Sequence, residues 1–219
     1  IKTLNPDLIH TVLWFAGVLG RIIGHLLHKP VICAIHSPLN TNKGMSPLRS
    51  WVDRLTIQWA SHIIFVAKNV QNNYRKYLLS YKTTLIENGI DYHWLHAQSK
   101  KRSIPKSSGH FIIGTVGRLV TIKNQQLLLN LIKRLQPQFP FVRLLIIGHG
   151  PLHNQLVQKA YDLGIQEKIT IIADEAIFYY SLFDIFILPS FAEGLSMALL
   201  EAMSFSIPVL VARSHRNHK

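Results

Sequence analysis

Short apolar runs alternate with longer amphipathic segments along most of the chain. Apolar runs bounded by Gly, Pro and polar residues are typical of buried parallel strands. The predicted strands cover residues 7–10, 31–35, 63–66, 84–86, 111–116, 143–147, 168–172, 185–188 and 208–212. The predicted helices cover residues 13–27, 48–60, 69–79, 125–135, 152–163, 177–182 and 195–205. This alternation predicts an α/β fold with doubly wound parallel sheets.

The alternation is interrupted between residues 91 and 108. This stretch holds the run Lys100-Lys101-Arg102 and Pro105 and has little apolar periodicity, which is typical of a segment between domains. We therefore expect two Rossmann-like domains joined by a basic linker, with the boundaries 1–92, 93–108 and 109–219.

Two carboxylates lie in the last strand–helix–strand unit, Glu193 before the helix and Glu201 inside it. Eight helical residues rise about 12 Å, so the two cannot flank one bond as the carboxylates of a glycosidase do. Either they hold different parts of one extended ligand or they are unrelated. Glu201 is the only charged residue of an apolar helix, where a buried carboxylate needs hydrogen-bond donors. Positions 192–194 offer no capping side chain, so the first N–H groups of the helix are candidates for binding an anion.

A second cluster follows the predicted strand 111–116. Gly117 ends this strand, and Arg118 and Lys123 lie on the turn and helix start that follow. Open α/β sheets bind ligands at the carboxyl ends of their strands. One planar guanidinium and one compact ammonium suit a pyrophosphate group.

These residues resemble motifs of the retaining family 4 glycosyltransferases. The turn from Gly117 to Lys123 is similar to the family's G-R-L-x-x-x-K pattern. The E-x7-E signature is matched by Pro189-Ser190, Glu193-Gly194, Glu201-Ala202-Met203 and Pro208-Val209. The resemblance covers residues 7–212 and implies a GT-B fold of two facing Rossmann-like domains, both incomplete in this chain.

The resemblance also implies roles for single residues. Arg118 and Lys123, beside Gly117, would hold the diphosphate of a nucleotide-sugar donor, and Glu201 would bind the ribose hydroxyls. The implied activity is transfer of a hexosyl or N-acetylhexosaminyl group to a glycan or lipid-linked acceptor. The expected setting is bacterial envelope polysaccharide synthesis, such as lipopolysaccharide or capsule.

The transferred sugar would be bound by Glu193 and by the N–H groups of Gly194, Leu195 and Ser196. A strand-end histidine, His36, resembles one that points at the donor sugar in several family members. The resemblance implies retaining transfer without a divalent metal or other cofactor. Glu193 would then position the sugar rather than act as a general base.

Charge distribution bears on the partner. The formal net charge is +13, and residues 1–108 hold fourteen Lys and Arg but only four Asp and Glu. A basic half indicates an anionic surface, and the sequence has no RNA-binding motif or zinc-finger spacing that would favour nucleic acid. We expect a peripheral location at the inner face of the cytoplasmic membrane. The apolar stretch 11–27 is too short to span a bilayer and is predicted to be a buried helix.

Other ligand classes are not expected. The closely spaced histidine pairs have no nearby carboxylate or cysteine to complete a metal site. Gly148 and Gly150 have no third glycine at the spacing of a dinucleotide-binding loop. The single cysteine, Cys33, excludes a disulfide within the chain.

Both ends depart from the family pattern. A glycine-rich first strand–loop unit is missing before residue 7, and a polar tail replaces the small-residue stretch expected after residue 209. We expect a truncated product with little or no transfer activity by itself. Two alternatives remain open: a non-catalytic remnant that binds a nucleotide or a membrane, and a GT-B-type sugar-nucleotide epimerase.

Overall fold

The structure, a computed structural model, describes residues 4–36, 47–74, 82–106 and 108–212. The chain forms two compact units. The first combines Ile1–Asn88 with Glu193–Leu195, and the second combines Gly89–Ala192 with Ser196–Lys219.

The first unit is built on a parallel sheet with the strand order β1-β2-β3-β4. Connections between neighbouring parallel strands are right-handed, so successive helices lie on the same face of such a sheet. The elements are β1 (Ile9–Val12), α1 (Trp14–Leu26), β2 (Val31–Ile35), α2 (Pro47–Ile57), β3 (His62–Phe65), α3 (Lys68–Tyr74) and β4 (Thr83–Leu85).

Helix α1 lies close to β1 and β2 because glycines face the sheet. A β-carbon at Gly20 would collide with Thr11, and one at Gly24 would collide with Val31. The opposite side of the helix is exposed, with Phe15 68% accessible. The prediction of a buried helix here is therefore wrong for one face, because α1 forms an outer layer rather than the centre of the core.

A buried ion pair joins α1 to α2. The Arg21 guanidinium donates to Asp53 Oδ1 at 2.6 Å, and both side chains are almost completely buried. The Tyr74 hydroxyl lies 3.5 Å from Asp53 Oδ2, and burial raises the pKa of Tyr74 above its usual value. Breaking a buried pair by removing one partner costs about 3–5 kcal/mol, so this contact holds the two helices in one arrangement.

The second unit is built on a parallel sheet with the order β7-β6-β5-β8-β9. The chain runs outward from β5 to β7 and then returns to place β8 on the other side of β5, so the strand order reverses between β5 and β8. The elements are α4 (Tyr92–Ser99), β5 (Phe111–Val116), α5 (Gln126–Leu135), β6 (Val142–Ile147), α6 (His153–Asp162), β7 (Ile169–Ile172), β8 (Ile185–Leu188), α7 (Met197–Ser204) and β9 (Val209–Val211).

Apolar side chains cover both faces of this second sheet. Ile113 belongs to a core on one face that also contains residues of α5 and α6. Its neighbour Ile112 belongs to the core on the opposite face. That core also contains Tyr180, Phe186 of β8 and Ala202 of α7. The predicted α/β class with parallel sheets is therefore confirmed.

The stretch predicted as an irregular linker contains a helix. Asp91 caps α4 by accepting a hydrogen bond from the Trp94 N–H at 2.8 Å, and Leu95 is buried. The ring of His96 stacks on Phe205 at 4.4 Å. The linker prediction is wrong for this helix, because its attachment depends on contacts with distant residues rather than on an apolar stripe of its own.

Smaller differences concern element bounds. The first strand is Ile9–Val12 rather than 7–10, and the helix predicted at 177–182 is two turns of 3-10 helix, Ala176–Phe178 and Tyr180–Leu182. The loop at 37–46, the end of the helix predicted at 69–79 and the tail at 214–219 lie outside the described residues. None of the helices in the described ranges is long and apolar enough to cross a membrane.

Candidate functional site

The candidate site of the second unit lies where its strand order reverses. Loops that follow β5 and β8 meet at this edge of the sheet, which is the usual ligand position in doubly wound folds. The Phe191 N–H donates to the Ile122 carbonyl at 2.9 Å, and the Asn124 side chain donates to the Pro189 carbonyl at 3.2 Å. These bonds hold the two loops together.

The loop after β6 joins the same assembly. The Leu119 N–H donates to the His149 carbonyl at 2.9 Å. Gly148 has a φ of +154°, and a β-carbon there would collide with the carbonyl of Gly117. Gly148 and Gly150, which lack dinucleotide-loop spacing, thus have a structural role beside the loop after β5.

Both predicted cations lie on this assembly. The Lys123 side chain runs across Gly117, where an added β-carbon would be 3.5 Å from Lys123 Cε and 3.8 Å from Nζ. The Arg118 side chain is exposed, while its carbonyl accepts a hydrogen bond from the Gln125 side chain at 2.9 Å. The structure therefore brings Gly117, Arg118 and Lys123 together on one rigid turn.

Helix α7 begins two residues later than predicted. Its N-cap residue is Ser196, which is buried and has an extended backbone, but its side chain makes no capping hydrogen bond. The Ser190 hydroxyl, at the end of β8, is also buried and has no hydrogen-bond partner within the described residues. As predicted, no side chain caps the N-terminus of α7, although its N-cap residue, Ser196, is of a type that often forms caps.

Glu201 lies on α7 and accepts a short hydrogen bond. The Tyr180 hydroxyl donates to Glu201 Oε2 at 2.6 Å, and the Tyr180 ring is fully buried and stacks on Phe205 at 5.4 Å. Burial, and secondarily the charge of Glu201, raises the pKa of Tyr180 above its usual range. The hydrogen-bond donor that we expected for a carboxylate in apolar surroundings is therefore the Tyr180 hydroxyl.

Tyr180 is a residue whose role sequence reasoning missed. It belongs to an aromatic run that the sequence indicates as core or as a base-stacking wall. The hydroxyl of a fully buried tyrosine needs a partner, but the sequence does not show that this partner is a carboxylate 21 positions later.

The segment Glu193–Leu195 groups with the first unit. The Asn69 side chain donates to the Glu193 carbonyl at 3.0 Å, and the Asn88 side chain donates to the Leu195 carbonyl at 3.2 Å. A β-carbon at Gly194 would collide with the His36 carbonyl. The structure thus places His36 beside Gly194 and adds two asparagines that the motif comparison did not single out.

The next feature of the described part of the chain is its set of potential metal ligands. Within it, no group of three or more His, Cys, Asp or Glu side chains could hold a metal ion. The free Cys33 thiol is buried and accepts a contact from the Thr11 hydroxyl at 3.3 Å. Burial raises the pKa of this thiol, which makes it a poor nucleophile.

Family models match nearly the whole chain. The model described as glycosyl transferases group 1 matches residues 97–218. The chain belongs to this family. A second model, glycosyltransferase family 4, matches residues 1–94. The two motifs, one in the turn from Gly117 to Lys123 and one in the segment from Pro189 to Val209, predicted a glycosyltransferase. The family models confirm this prediction.

Curated relatives are similar over different shares of the chain. One is the UDP-Gal:alpha-D-GlcNAc-diphosphoundecaprenol alpha-1,3-galactosyltransferase of Escherichia coli, 24% identical over 100% of this chain and 60% of the relative. Another is the GDP-mannose-dependent alpha-(1-6)-phosphatidylinositol monomannoside mannosyltransferase of Mycolicibacterium smegmatis, 31% identical over 47% of this chain and 30% of the relative. The chain thus spans 60% or less of these proteins.

Solved structures of glycosyltransferases share the fold. The crystal structure of Anabaena HepE in complex with UDP and glucose matches with a TM-score of 0.80 and 20% identity. The match covers 97% of this chain and 61% of HepE. At this identity, the likeness supports the GT-B type of fold.

The Tyr180 hydroxyl predicts a pH dependence of stability. The folded protein retains this proton, whereas an unfolded tyrosine loses it near pH 10, so stability present below pH 10 is lost as the pH rises above it. The expected loss is about 1.4 kcal/mol per pH unit. Tyr180→Phe should remove this contribution to the pH dependence. Urea unfolding at several pH values from neutral to alkaline measures the free energy of unfolding of the variant and of the unaltered protein.

Tyr161→Phe is the matched control, because Tyr161 is 68% exposed on α6 of the same unit. The control retains the alkaline dependence of the unaltered protein. If Tyr180→Phe and the unaltered protein lose stability equally above pH 10, the burial of the Tyr180 proton is not the cause.

Proposed function

We propose that the protein transfers a sugar from a nucleotide-diphosphate sugar to a glycan or lipid-linked acceptor. Family membership supports this activity. The observation that supports it most directly is the turn at the strand-order reversal, which carries Arg118 and Lys123 and in which the Lys123 side chain lies beside Gly117.

The diphosphate is the donor group that we assign to Arg118 and Lys123. The Arg118 guanidinium can donate two parallel hydrogen bonds to phosphate oxygens, and the Lys123 ammonium adds a compact charge. Gly117 has a φ of +152° and no side chain, and the Lys123 side chain lies beside it. The uncapped N-terminus of α7 is a further electropositive group.

The ribose is the donor group that we assign to Glu201. A carboxylate can accept hydrogen bonds from both hydroxyls of a ribose. The Tyr180 hydroxyl donates to Glu201 Oε2, which orients the carboxylate and leaves its other oxygen without a hydrogen-bond donor among the described residues. Tyr180 is therefore proposed as a positioning residue for nucleotide binding.

Catalysis follows from charge development in a retaining transfer. As the bond between sugar and phosphate lengthens, negative charge grows on the departing diphosphate, and Arg118 and Lys123 stabilise it. The acceptor hydroxyl attacks from the same face and gives its proton to the leaving phosphate. These cations take the part of a divalent metal in this proposal, and Ser196 contributes its backbone N–H at the start of α7.

The transferred sugar is assigned to residues of the first unit. Glu193, Gly194 and Leu195 are proposed to orient it, and His36 is proposed as a further catalytic contact. Support comes from the family motif and from the neighbouring backbones of His36 and Gly194. Glu193 is proposed to position the sugar hydroxyls.

The acceptor side rests on the names of relatives and on charge. The two curated relatives are named for acceptors carried on undecaprenol and on phosphatidylinositol. The first 108 residues are strongly basic, which suits an anionic membrane surface. A peripheral role at the cytoplasmic membrane in bacterial envelope polysaccharide synthesis is therefore proposed.

Arg118→Ala and Lys123→Ala test the phosphate assignment. Each is expected to weaken UDP binding about 10- to 100-fold, because a hydrogen bond to a charged group contributes about 1.5–3 kcal/mol. Uridine, which has no phosphate, is expected to bind all variants equally. Calorimetric titration with both ligands measures the difference.

Arg134→Ala is the matched control, since Arg134 is an exposed cation on α5 of the same unit. It should leave UDP affinity unchanged. Unaltered UDP binding by both Arg118→Ala and Lys123→Ala would remove the diphosphate from this turn.

The ribose assignment is tested by comparing UDP with 2′-deoxy-UDP. The unaltered protein is expected to prefer UDP, because the 2′-hydroxyl donates to Glu201. Glu201→Gln should lose most of that preference, and Tyr180→Phe should lose part of it by releasing the carboxylate. A preference that survives Glu201→Gln would contradict the assignment.

Transfer is measured on the whole gene product with labelled UDP-sugars and a lipid-linked acceptor. The expected product is a labelled glycolipid in which the anomeric configuration of the donor is retained, formed in the presence of a chelator. Epimerised donor without transfer would identify an epimerase. Nucleotide binding without any conversion would identify a non-catalytic protein.

A further inference from the structure

A row of four aromatic rings leads from the surface of the second unit to Glu201. The rings of Tyr92 and His96 on α4 have centroids 4.2 Å apart, and His96 stacks on Phe205 at 4.4 Å. Phe205 in turn stacks on Tyr180 at 5.4 Å, with an angle of 14° between the planes. Tyr92 is half exposed, whereas Tyr180 is buried and donates to Glu201 Oε2. We call these four rings the aromatic row.

The aromatic row also contacts the end of α7 through a hydrogen bond. His96 Nε2 lies 3.1 Å from the carbonyl oxygen of Ser204, the last residue of α7. A carbonyl oxygen only accepts hydrogen bonds, so Nε2 is the donor. The carbonyl groups of the last helical turn have no partner within the helix and need donors from elsewhere. His96 supplies one of these donors from 108 positions away in the sequence.

Glu201 lies in the same last turn. Helix α7 has eight residues, and a helix of this length has little stability by itself. The turn that follows it places Ser206 at a φ of +57°, which is unfavourable for a residue other than glycine. The end of α7 therefore depends on contacts from outside the helix, and these contacts help to set the direction of the Glu201 side chain.

His96 is the member of the aromatic row that apolar packing does not explain. Its ring is polar and only half-buried, and α4 already has an apolar anchor in the buried Leu95. An apolar side chain at position 96 would also pack on Phe205, but it would leave the Ser204 carbonyl without this donor. The hydrogen bond to α7 therefore accounts for a histidine at this position.

We propose that His96 and Phe205 are positioning residues for nucleotide binding and act through Tyr180 on the direction of the Glu201 carboxylate. Phe205 holds the plane of the Tyr180 ring, and His96 holds both the Phe205 ring and the end of α7. The Tyr180 hydroxyl then orients Glu201 Oε2, which lies 2.6 Å from it. The proposal rests on the assignment of Glu201 to the ribose in the proposed function and extends the ribose site to α4.

The 2′-hydroxyl of a ribose distinguishes a directed carboxylate from one that rotates. Hydrogen bonds weaken steeply as their angle departs from linearity, so a misdirected Glu201 accepts poorly from this hydroxyl. The ratio of the affinities for UDP and 2′-deoxy-UDP therefore reports the direction of the carboxylate. Partial unfolding lowers both affinities by the same factor and leaves their ratio unchanged.

Calorimetric titration of the full chain with both nucleotides tests the proposal. The unaltered protein is expected to prefer UDP. His96→Leu removes the aromatic ring and the donor, and it should lower this preference about three- to tenfold, the range expected for one misplaced hydrogen bond. Phe205→Leu should lower it similarly, because the Tyr180 ring loses its stacking partner.

Two further variants separate the ring of His96 from its hydrogen bond. His96→Gln retains an N–H donor for the Ser204 carbonyl and loses the stacked ring. His96→Phe retains a ring against Phe205 and loses the donor. Each should retain part of the preference for UDP, so both should lie between His96→Leu and the unaltered protein.

Matched controls lie in the same unit. His93 is an exposed histidine of α4 whose ring meets the edge of Tyr92 at 5.6 Å, so His93→Leu makes the same substitution without removing the hydrogen bond to α7. Phe139→Leu removes an aromatic pair with Phe141 at 6.0 Å, just before β6 and at the opposite end of the sheet from the candidate site. Both controls should leave the preference unchanged, and urea unfolding measures the stability of every variant.

Three results would overturn the proposal. If His96→Leu and Phe205→Leu keep the preference of the unaltered protein while Glu201→Gln loses it, the ribose assignment stands and this inference fails alone. An equal loss of preference in His93→Leu would assign the effect to the stability of α4 rather than to His96. Equal binding of UDP and 2′-deoxy-UDP by the unaltered protein would remove the ribose assignment and this inference together.

Discussion

Backbone and side-chain hydrogen bonds between three loops are the constraint on which the candidate site depends. The loop after β5 is bonded to the loops after β8 and β6, at the point where the strand order reverses. Neither Arg118 nor Lys123 could be placed reliably by a free loop. The sheet supplies the position of the loop, and the bonds between loops hold it against its neighbours, which suits the stabilisation of a leaving group that is proposed for these cations.

Glu201 shows how an apolar core can orient a carboxylate. A single charge on α7 would be costly without a donor, and the buried hydroxyl of Tyr180 supplies one at 2.6 Å. The aromatic rings around this hydroxyl exclude water, so the proton remains on the tyrosine and its direction is fixed. The pair therefore combines stability of the second unit with a defined orientation of the proposed ribose ligand.

The first unit buries an ion pair and exposes several large apolar side chains. Asp53 is buried in a pair with Arg21, while large apolar side chains of α1 and α2 are exposed. The buried ion pair and the exposed face are connected, because the first holds the two helices whose outer sides form the second.

The sequence by itself determined the α/β class, the family and the bounds of β2, β5 and β8, since buried parallel strands are continuous apolar runs that Gly, Pro or a polar residue ends. It also predicted that Gly117, Arg118 and Lys123 share one turn, because these residues are close along the chain. Only the tertiary structure decided the partner of Glu201, the helix α4 within the supposed linker, and the grouping of Glu193–Leu195 with the first unit. Each of these depends on side chains far apart in sequence, and local patterns carry no information about which distant groups the folded backbone brings within hydrogen-bonding distance.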